Sequence, residues 1–128
     1  MTAPDDVLVV DDDPDVVDVI LLVLDHAGYA ARSAENGAQA LAAVEARVPA
    51  LVLLDMIMPV MNGWQFAREL RARYGRVIPI VMVTAAEHAR ARGDEIGADA
   101  VLPKPFNVGD LLRLVERYVV KPGSPPTG

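Results

Sequence analysis

The sequence predicts an α/β fold: a doubly wound parallel sheet with helices on both faces. Three observations carry this. Five short apolar runs recur along the chain, each followed by a segment of helical pattern, and strands alternating with helices in this way build a parallel sheet. The run Leu51-Val52-Leu53-Leu54 is apolar without interruption, as a strand buried on both faces must be, and it ends in a carboxylate, Asp55. The 128 residues, 52% of them hydrophobic, supply the core of one domain.

The first strand, Val7-Leu8-Val9-Val10, runs into Asp11, Asp12 and Asp13. Pro14 suits the first turn of a helix, with Asp13 as its cap and Asp15 at its positive end. That helix extends to about Ala27, and Val16, Ile20, Val23 and Ala27 have the spacing of a buried stripe. Asp15, Asp18 and Asp25 fall on the opposite face with Leu22 and, in part, Leu21. These leucines read either as ordinary exposed residues or as a docking surface for a partner helix. Gly28 ends the helix, Tyr29 to Ser33 is a short second strand, and Asn36-Gly37 leads into a helix buried through Ala40, Leu41 and Val44. Pro49 precedes the central strand.

After Asp55, the loop Met58-Pro59-Val60-Met61-Asn62-Gly63 is rich in turn residues, and Asn62 can cap a helix carrying Trp64, Phe66, Ala67 and Leu70. Trp64 reads as a half-buried packing residue and the methionines as gap fillers. The fourth strand, Ile78 to Val83, ends in Thr84. A helix from Ala85 to Ile96 rests on alanines, and such a helix is weakly held. Ala100-Val101-Leu102 is the last strand and runs into Pro103-Lys104-Pro105-Phe106. Asn107 then caps a final helix with the stripe Val108, Leu111, Leu112, Val115 and Val119. Residues 1–120 thus form one domain, and 121–128, Lys-Pro-Gly-Ser-Pro-Pro-Thr-Gly, have the composition of a flexible tail or linker.

Composition narrows the function. The absence of Cys excludes disulfides and thiolate metal sites. No secretory signal pattern appears, and the longest apolar stretch, Val19 to Leu24, is far too short to span a bilayer, so a soluble cytoplasmic protein without membrane insertion is expected. The net charge of −6 opposes direct binding to nucleic acid. His26 and His88 lack ligand-like spacing and read as surface residues.

Taken alone, Asp55 is equally a turn cap and a functional acid. Asp11 and Asp12 tip the balance: they are adjacent acids at a strand end, with no Lys or Arg before Arg32 to neutralise them, an arrangement that calls for a cation. Because ligands gather at the carboxyl edge of such sheets, Asp11, Asp12, Asp55, Thr84 and Lys104 converge there. The acids can hold a divalent cation such as Mg²⁺, Thr84 and Lys104 can donate to phosphoryl oxygens, and an accessible carboxylate can act as nucleophile toward phosphorus.

Over residues 6 to 120 the chain resembles the receiver domain of bacterial two-component response regulators. The matching pieces are Val9-Val10-Asp11-Asp12, Leu54-Asp55-Met56-Ile57-Met58-Pro59 with Gly63, Val83-Thr84-Ala85, and Lys104-Pro105-Phe106. The resemblance implies a flavodoxin-like, CheY-like five-stranded sheet of order 2-1-3-4-5 and a phosphoryl group accepted on Asp55 from a sensor histidine kinase or phosphotransfer protein. It also implies Mg²⁺ held by Asp12, Asp55 and the backbone carbonyl of Ile57, with Asp11 acting through water; Thr84 and Lys104 on the phosphoryl oxygens; and a cis peptide between Lys104 and Pro105. Val101 stands where many members carry Tyr or Phe, and a valine cannot swing as that ring does.

The expected function is therefore a phosphoacceptor module, a stand-alone switch rather than an enzyme: it catalyses only its own phosphorylation and dephosphorylation and signals to a downstream protein target through an altered surface. Three rivals differ from it in testable ways. A Mg²⁺-dependent phosphohydrolase using Asp11 or Asp13 would need a general acid and a substrate-covering cap. A flavodoxin-like nucleotide binder would need a Ser-, Thr- or Gly-rich loop after the first strand, where this chain has three acids. A receiver-like scaffold that is never phosphorylated would not need the complete residue set.

Overall fold

In a computed structural model of the chain, which describes residues 5–58, 60–85 and 97–120, the element order is β1 (Asp6–Val10), α1 (Pro14–His26), β2 (Ala30–Ala34), α2 (Gly37–Ala46), β3 (Leu51–Leu54), α3 (Gly63–Tyr74), β4 (Ile80–Ala85), β5 (Ala100–Lys104) and α4 (Val108–Tyr118). Ala85, expected to open the next helix, ends β4 instead; the rest of that expected helix, 86–96 with Ala86 and His88, lies outside the described residues, as do residues 1–4, Pro59 and the tail 121–128.

The five strands form one parallel sheet of order β2-β1-β3-β4-β5. Alternation along the strands divides the core in two. Leu8, Val10, Val52, Leu54, Ile80 and Met82 face α2 and α3, meeting Ala40, Leu41, Val44, Phe66 and Leu70. Val7, Val9, Leu51, Leu53, Val81 and Val83 face α1 and α4, meeting Val17, Ile20, Leu24, Leu111 and Val115. This two-sided burial is why β1, β3 and β4 read as continuous apolar runs.

Each helix starts where the sequence places a cap. Asp13 accepts from the Asp15 amide at 3.0 Å, Asn36 from Gln39 at 2.9 Å, Asn62 from Gln65 at 3.0 Å and Asn107 from Asp110 at 2.8 Å. Each such cap is worth about 1 kcal/mol.

Two buried stripes differ from the expectation. On α1 the fully buried residues are Val17, Ile20 and Leu24, whereas Val16, Val23 and Ala27 are only half-buried. The stripe is turned by one residue because the sheet takes the Val17 side, and a segment from Val16 to Leu24 that is apolar except at Asp18 gives periodicity two nearly equal solutions. On α4, Leu111, Val115 and Val119 are buried, but Leu112 is half-buried and Val108, in the first turn, is 49% exposed. The strands also shift: β2 begins at Ala30 rather than Tyr29, and β4 at Ile80 rather than Ile78, although Tyr29 and Ile78 are both buried.

Candidate functional site

The register brings the strand ends flush. Val10 lies opposite Leu54 and Ala34, and Leu54 opposite Met82, so Asp11 and Asp55 leave the sheet side by side. Their backbones continue the pairing briefly: the Asp11 amide donates to Ala34 and the Asp55 amide to Val10. Thr84 and Lys104 close the same edge from β4 and β5, where Thr84 pairs with Pro103 and Ala85 with Lys104. The Lys104–Pro105 peptide is cis, as the resemblance implied.

Among the described residues, four polar side chains are buried: Asp6, Asp11, Asp55 and Thr84. Asp6 belongs to the other end of the sheet, where it accepts from Arg32 at 2.6 Å. The remaining three lie at the carboxyl edge. One oxygen from each of Asp11, Asp12 and Asp55 falls within 4.8 Å of the others, and of the three only Asp12 is exposed to solvent. Hard carboxylate donors this close, with one side open to water, suit a Mg²⁺-sized ion that keeps part of its hydration.

The cation that partly neutralises this cluster comes from the far end of the chain. Lys104 Nζ donates to Asp11 Oδ2 at 3.0 Å and stands 4.0 Å from Asp55 Oδ1, while the other Asp11 oxygen accepts from the Asp13 amide at 2.9 Å. The expectation that Asp11 and Asp12 lack a nearby basic partner thus holds only along the sequence: Lys104 is 93 positions from Asp11. Asp55 remains strained electrostatically. Burial, followed by the nearby Asp11 charge, raises its carboxyl from 3.8 to about 6, against the opposing pull of Lys104 and the Ile57 and Met56 amides. Those two amides are site groups the sequence reasoning missed. They are backbone donors, and no side chain announces them.

Beside the acids, a cleft of about 380 Å³ runs between the start of α1 and the β2–α2 turn, lined by Asp11, Asp12, Asp18 and Glu35 among others. Two separate apolar hollows lie along α1: one near the acids involves Val16, Val19, Lys104 and Phe106, and in the other Leu22 and Val23 meet Val108 and Leu112 of α4. Leu22 is 65% exposed as expected, but its neighbours are α4 residues rather than the acids, and Leu21 is half-buried against the core. Val19, which the sequence reading left aside, is the exposed residue nearer the site. Trp64 is half-buried against the α2 and α3 side of the core, and Val101 packs on that same side.

Comparisons with known proteins agree with this geometry. A family model described as the response regulator receiver domain matches residues 7–116. The chain is 37% identical over 120 residues to the phosphate regulon transcriptional regulatory protein PhoB of Pseudomonas aeruginosa, covering 91% of this chain and 52% of that protein. It is 42% identical over 111 residues to the DNA-binding response regulator MtrA of Mycolicibacterium smegmatis, covering 85% and 48%. The chain therefore spans about half the length of these relatives. Among solved structures, the receiver domain of the sensor histidine kinase PA1611 from Pseudomonas aeruginosa, with a magnesium ion coordinated in its active site cleft, superposes with a TM-score of 0.81 at 32% identity, covering 91% of this chain and 98% of that one. With its sheet order, its edge of acids and this likeness over nearly its whole length, the chain belongs to the response regulator receiver domain family, the phosphoacceptor modules of two-component signalling.

Proposed function

We propose that Asp55 is the phosphoacceptor and that Thr84 and Lys104 hold the phosphoryl oxygens during transfer. The observation that carries this is the placement of Asp55: buried at the end of the central strand, within 4.8 Å of Asp11 and Asp12 through its oxygens and 4.0 Å from Lys104. In the reaction an Asp55 carboxylate oxygen bonds to phosphorus as the phosphorus–nitrogen bond of a kinase phosphohistidine breaks. The bonding pair stays with the imidazole, which takes up a proton, and an acyl phosphate remains on Asp55.

Asp12, Asp55 and the Ile57 carbonyl would hold Mg²⁺, with Asp11 acting through water, and the bound ion would offset the charge of the acids against that of the incoming phosphate. Asp11 is suited to the indirect role because it is already engaged by Lys104 and the Asp13 amide. Thr84 offers a hydroxyl and Lys104 an ammonium, both donors to phosphoryl oxygen. On this reading the module turns over only its own phosphorylation and dephosphorylation.

The phosphodonor is a sensor histidine kinase or a phosphotransfer protein meeting the chain in the cytoplasm, and the output is a changed surface read by a downstream protein. The net charge of −6 supports output through protein rather than through nucleic acid contacted by this module. Among the described residues no helix is long and apolar enough to cross a membrane. Intact-mass measurement after incubation with Mg²⁺ and acetyl phosphate tests the reading. One phosphoryl group added only when Mg²⁺ is present is the expected result, and an unmodified chain would overturn it.

A further inference from the structure

Past Asp55, whose amide donates to Val10, two backbone hydrogen bonds with glycine donors hold the loop joining β3 to α3 among the described residues. Within the loop's own unit, the Gly63 amide donates to the Met56 carbonyl at 3.0 Å. The second fastening comes from elsewhere in the chain: the Gly37 amide, in the first turn of α2, donates to the Met61 carbonyl at 2.9 Å. Helix N-termini leave amides without intrahelical partners, and here one of them is spent on this loop.

The approach at Gly37 is too close for any side chain. A Cβ there would lie 2.6 Å from Met61 Cγ, 2.7 Å from the Met61 carbonyl oxygen and 2.8 Å from Met61 Cβ. Side-chain rotation can clear only Cγ, because the other two atoms move only with the backbone. Glycine is also the poorest helix former after proline, so local preference at a helix start already capped by Asn36 does not account for it. The reason lies in the tertiary contact.

We propose that Gly37 is a positioning residue for phosphoryl transfer: by letting α2 close on Met61, it sets the loop whose Met56 and Ile57 amides hold the Asp55 carboxylate. Those amides belong to the segment between Asp55 and the Met61 anchor, so displacing Met61 shifts the strain along a short tether to them. The same turn of chain carries Glu35, which lines the acidic cleft with Asp11 and Asp12. Gly37 therefore stands between the β3–α3 loop and a residue that lines this cleft, without lining it itself. The consequence for catalysis rests on the assignment of Asp55 as phosphoacceptor; the positioning of the loop does not.

The test compares Gly37→Ala with Ala42→Gly, an exposed interior position of the same helix where glycine acts through helix propensity. Two readouts are taken in the full chain: the amide resonances of Met56 and Ile57 without phosphodonor, and the initial rate of acetyl phosphate labelling in saturating Mg²⁺. Gly37→Ala is expected to displace both resonances and slow labelling on the order of tenfold or more, as misplacement of a reacting group does. Ala42→Gly is expected to leave the resonances in place and the rate within about twofold of the parent. Unmoved resonances in Gly37→Ala, or equal losses in both variants, would overturn the proposal. A parent that is not labelled at all would instead refute the phosphoacceptor assignment, and the resonances alone would then decide the positioning. If Gly37→Ala does not fold, the double variant Gly37→Ala, Met61→Ala, which lacks the Cγ contact, is compared with Met61→Ala. Identical resonances in those two would count against Gly37 in the same way.

Discussion

Lys104 Nζ lies 3.0 Å from Asp11 and 4.0 Å from Asp55, so one ammonium bridges the ends of β1 and β3 from the end of β5. Its shorter contact is to the acid that is not the proposed phosphoacceptor. Asp55 is thereby left with the Met56 and Ile57 amides as backbone donors and Lys104 only at the longer distance.

The first prediction is that Asp55 is the sole phosphoacceptor. Asp11 is held by Lys104 and the Asp13 amide, Asp13 caps α1, and Asp12 lies outward of both. Asp55→Asn should abolish the phosphoryl mass shift from acetyl phosphate while the protein stays folded. A variant labelled to the parent's extent would move the assignment to another acid.

The raised Asp55 carboxyl makes stability depend on pH in a stated direction. Its folded value, about 6, exceeds the unfolded value near 3.8, so the folded state holds a proton that the unfolded state releases first. Between these values the unfolding free energy therefore falls as pH rises, and it levels off above about 6, a loss on the order of 2–3 kcal/mol. In metal-free buffer, Asp55→Asn should remove this slope and melt higher than the parent at pH 7.5. Thermal melts of both proteins from pH 4 to 8 with a chelator present would show it; parallel curves would refute the electrostatic strain at Asp55.

We predict that the acidic cluster divides into metal ligands and helix acids. Asp12 shares the oxygen cluster with Asp11 and Asp55, whereas Asp15 lies in the first turn of α1. Asp12→Ala should weaken Mg²⁺ binding by at least the roughly 10-fold that loss of even an indirect partner costs. Asp15→Ala should leave it nearly unchanged. Trp64, in the first turn of α3 after the Asp55 loop, is the fluorescence reporter for the titration. Equal affinities in the two variants would erase the division.

How much of this was legible beforehand follows from the physics of each signal. The central strand and its acid were readable because two-sided burial forces an unbroken apolar run, and Asn36, Asn62 and Asn107 were readable as caps because capping is local. The α1 stripe was misplaced by one residue because apolar residues lie on several sides of that helix, leaving periodicity little contrast. Val108 has the spacing of the α4 stripe, but it sits at the helix start where the hollow beside Leu22 opens. Long-range pairs were invisible for a different reason. Nothing local ties Lys104 to Asp11 or Gly37 to Met61; the sheet order brings them together.

Docking of a kinase is predicted on α1. Leu22 and Val19 are both exposed on this helix, Leu22 beside Val108 and Leu112 of α4 and Val19 in a separate apolar hollow that reaches Lys104 at the acidic edge. Leu22→Asp puts a charge among these apolar residues and should slow transfer from the cognate kinase about tenfold, equivalent to ~1.4 kcal/mol of lost interaction. Acetyl phosphate needs no protein docking, so labelling from it should stay at the parent's rate. Unchanged transfer from the kinase would return Leu22 to the ordinary exposed residues of the surface.

The last prediction is that the acyl phosphate on Asp55 is long-lived. Hydrolysis requires a water in line with phosphorus, opposite the Asp55 oxygen, and a side chain able to orient that water speeds the step. The resemblance to receiver domains places the residues two past the acid and two past the threonine beside that approach: Ile57, which is 65% exposed, and Ala86, which lies outside the described residues. Neither side chain can hydrogen-bond, so neither can orient the water. Ile57→Asn supplies a donor and an acceptor where there was a hydrocarbon, and adding Ala86→Glu supplies a carboxylate. Phosphate release from purified phosphoprotein in Mg²⁺ should accelerate in Ile57→Asn, on the order of several-fold, and further in the double variant. Release no faster than the parent's in either variant would show that water orientation at Ile57 does not set the lifetime.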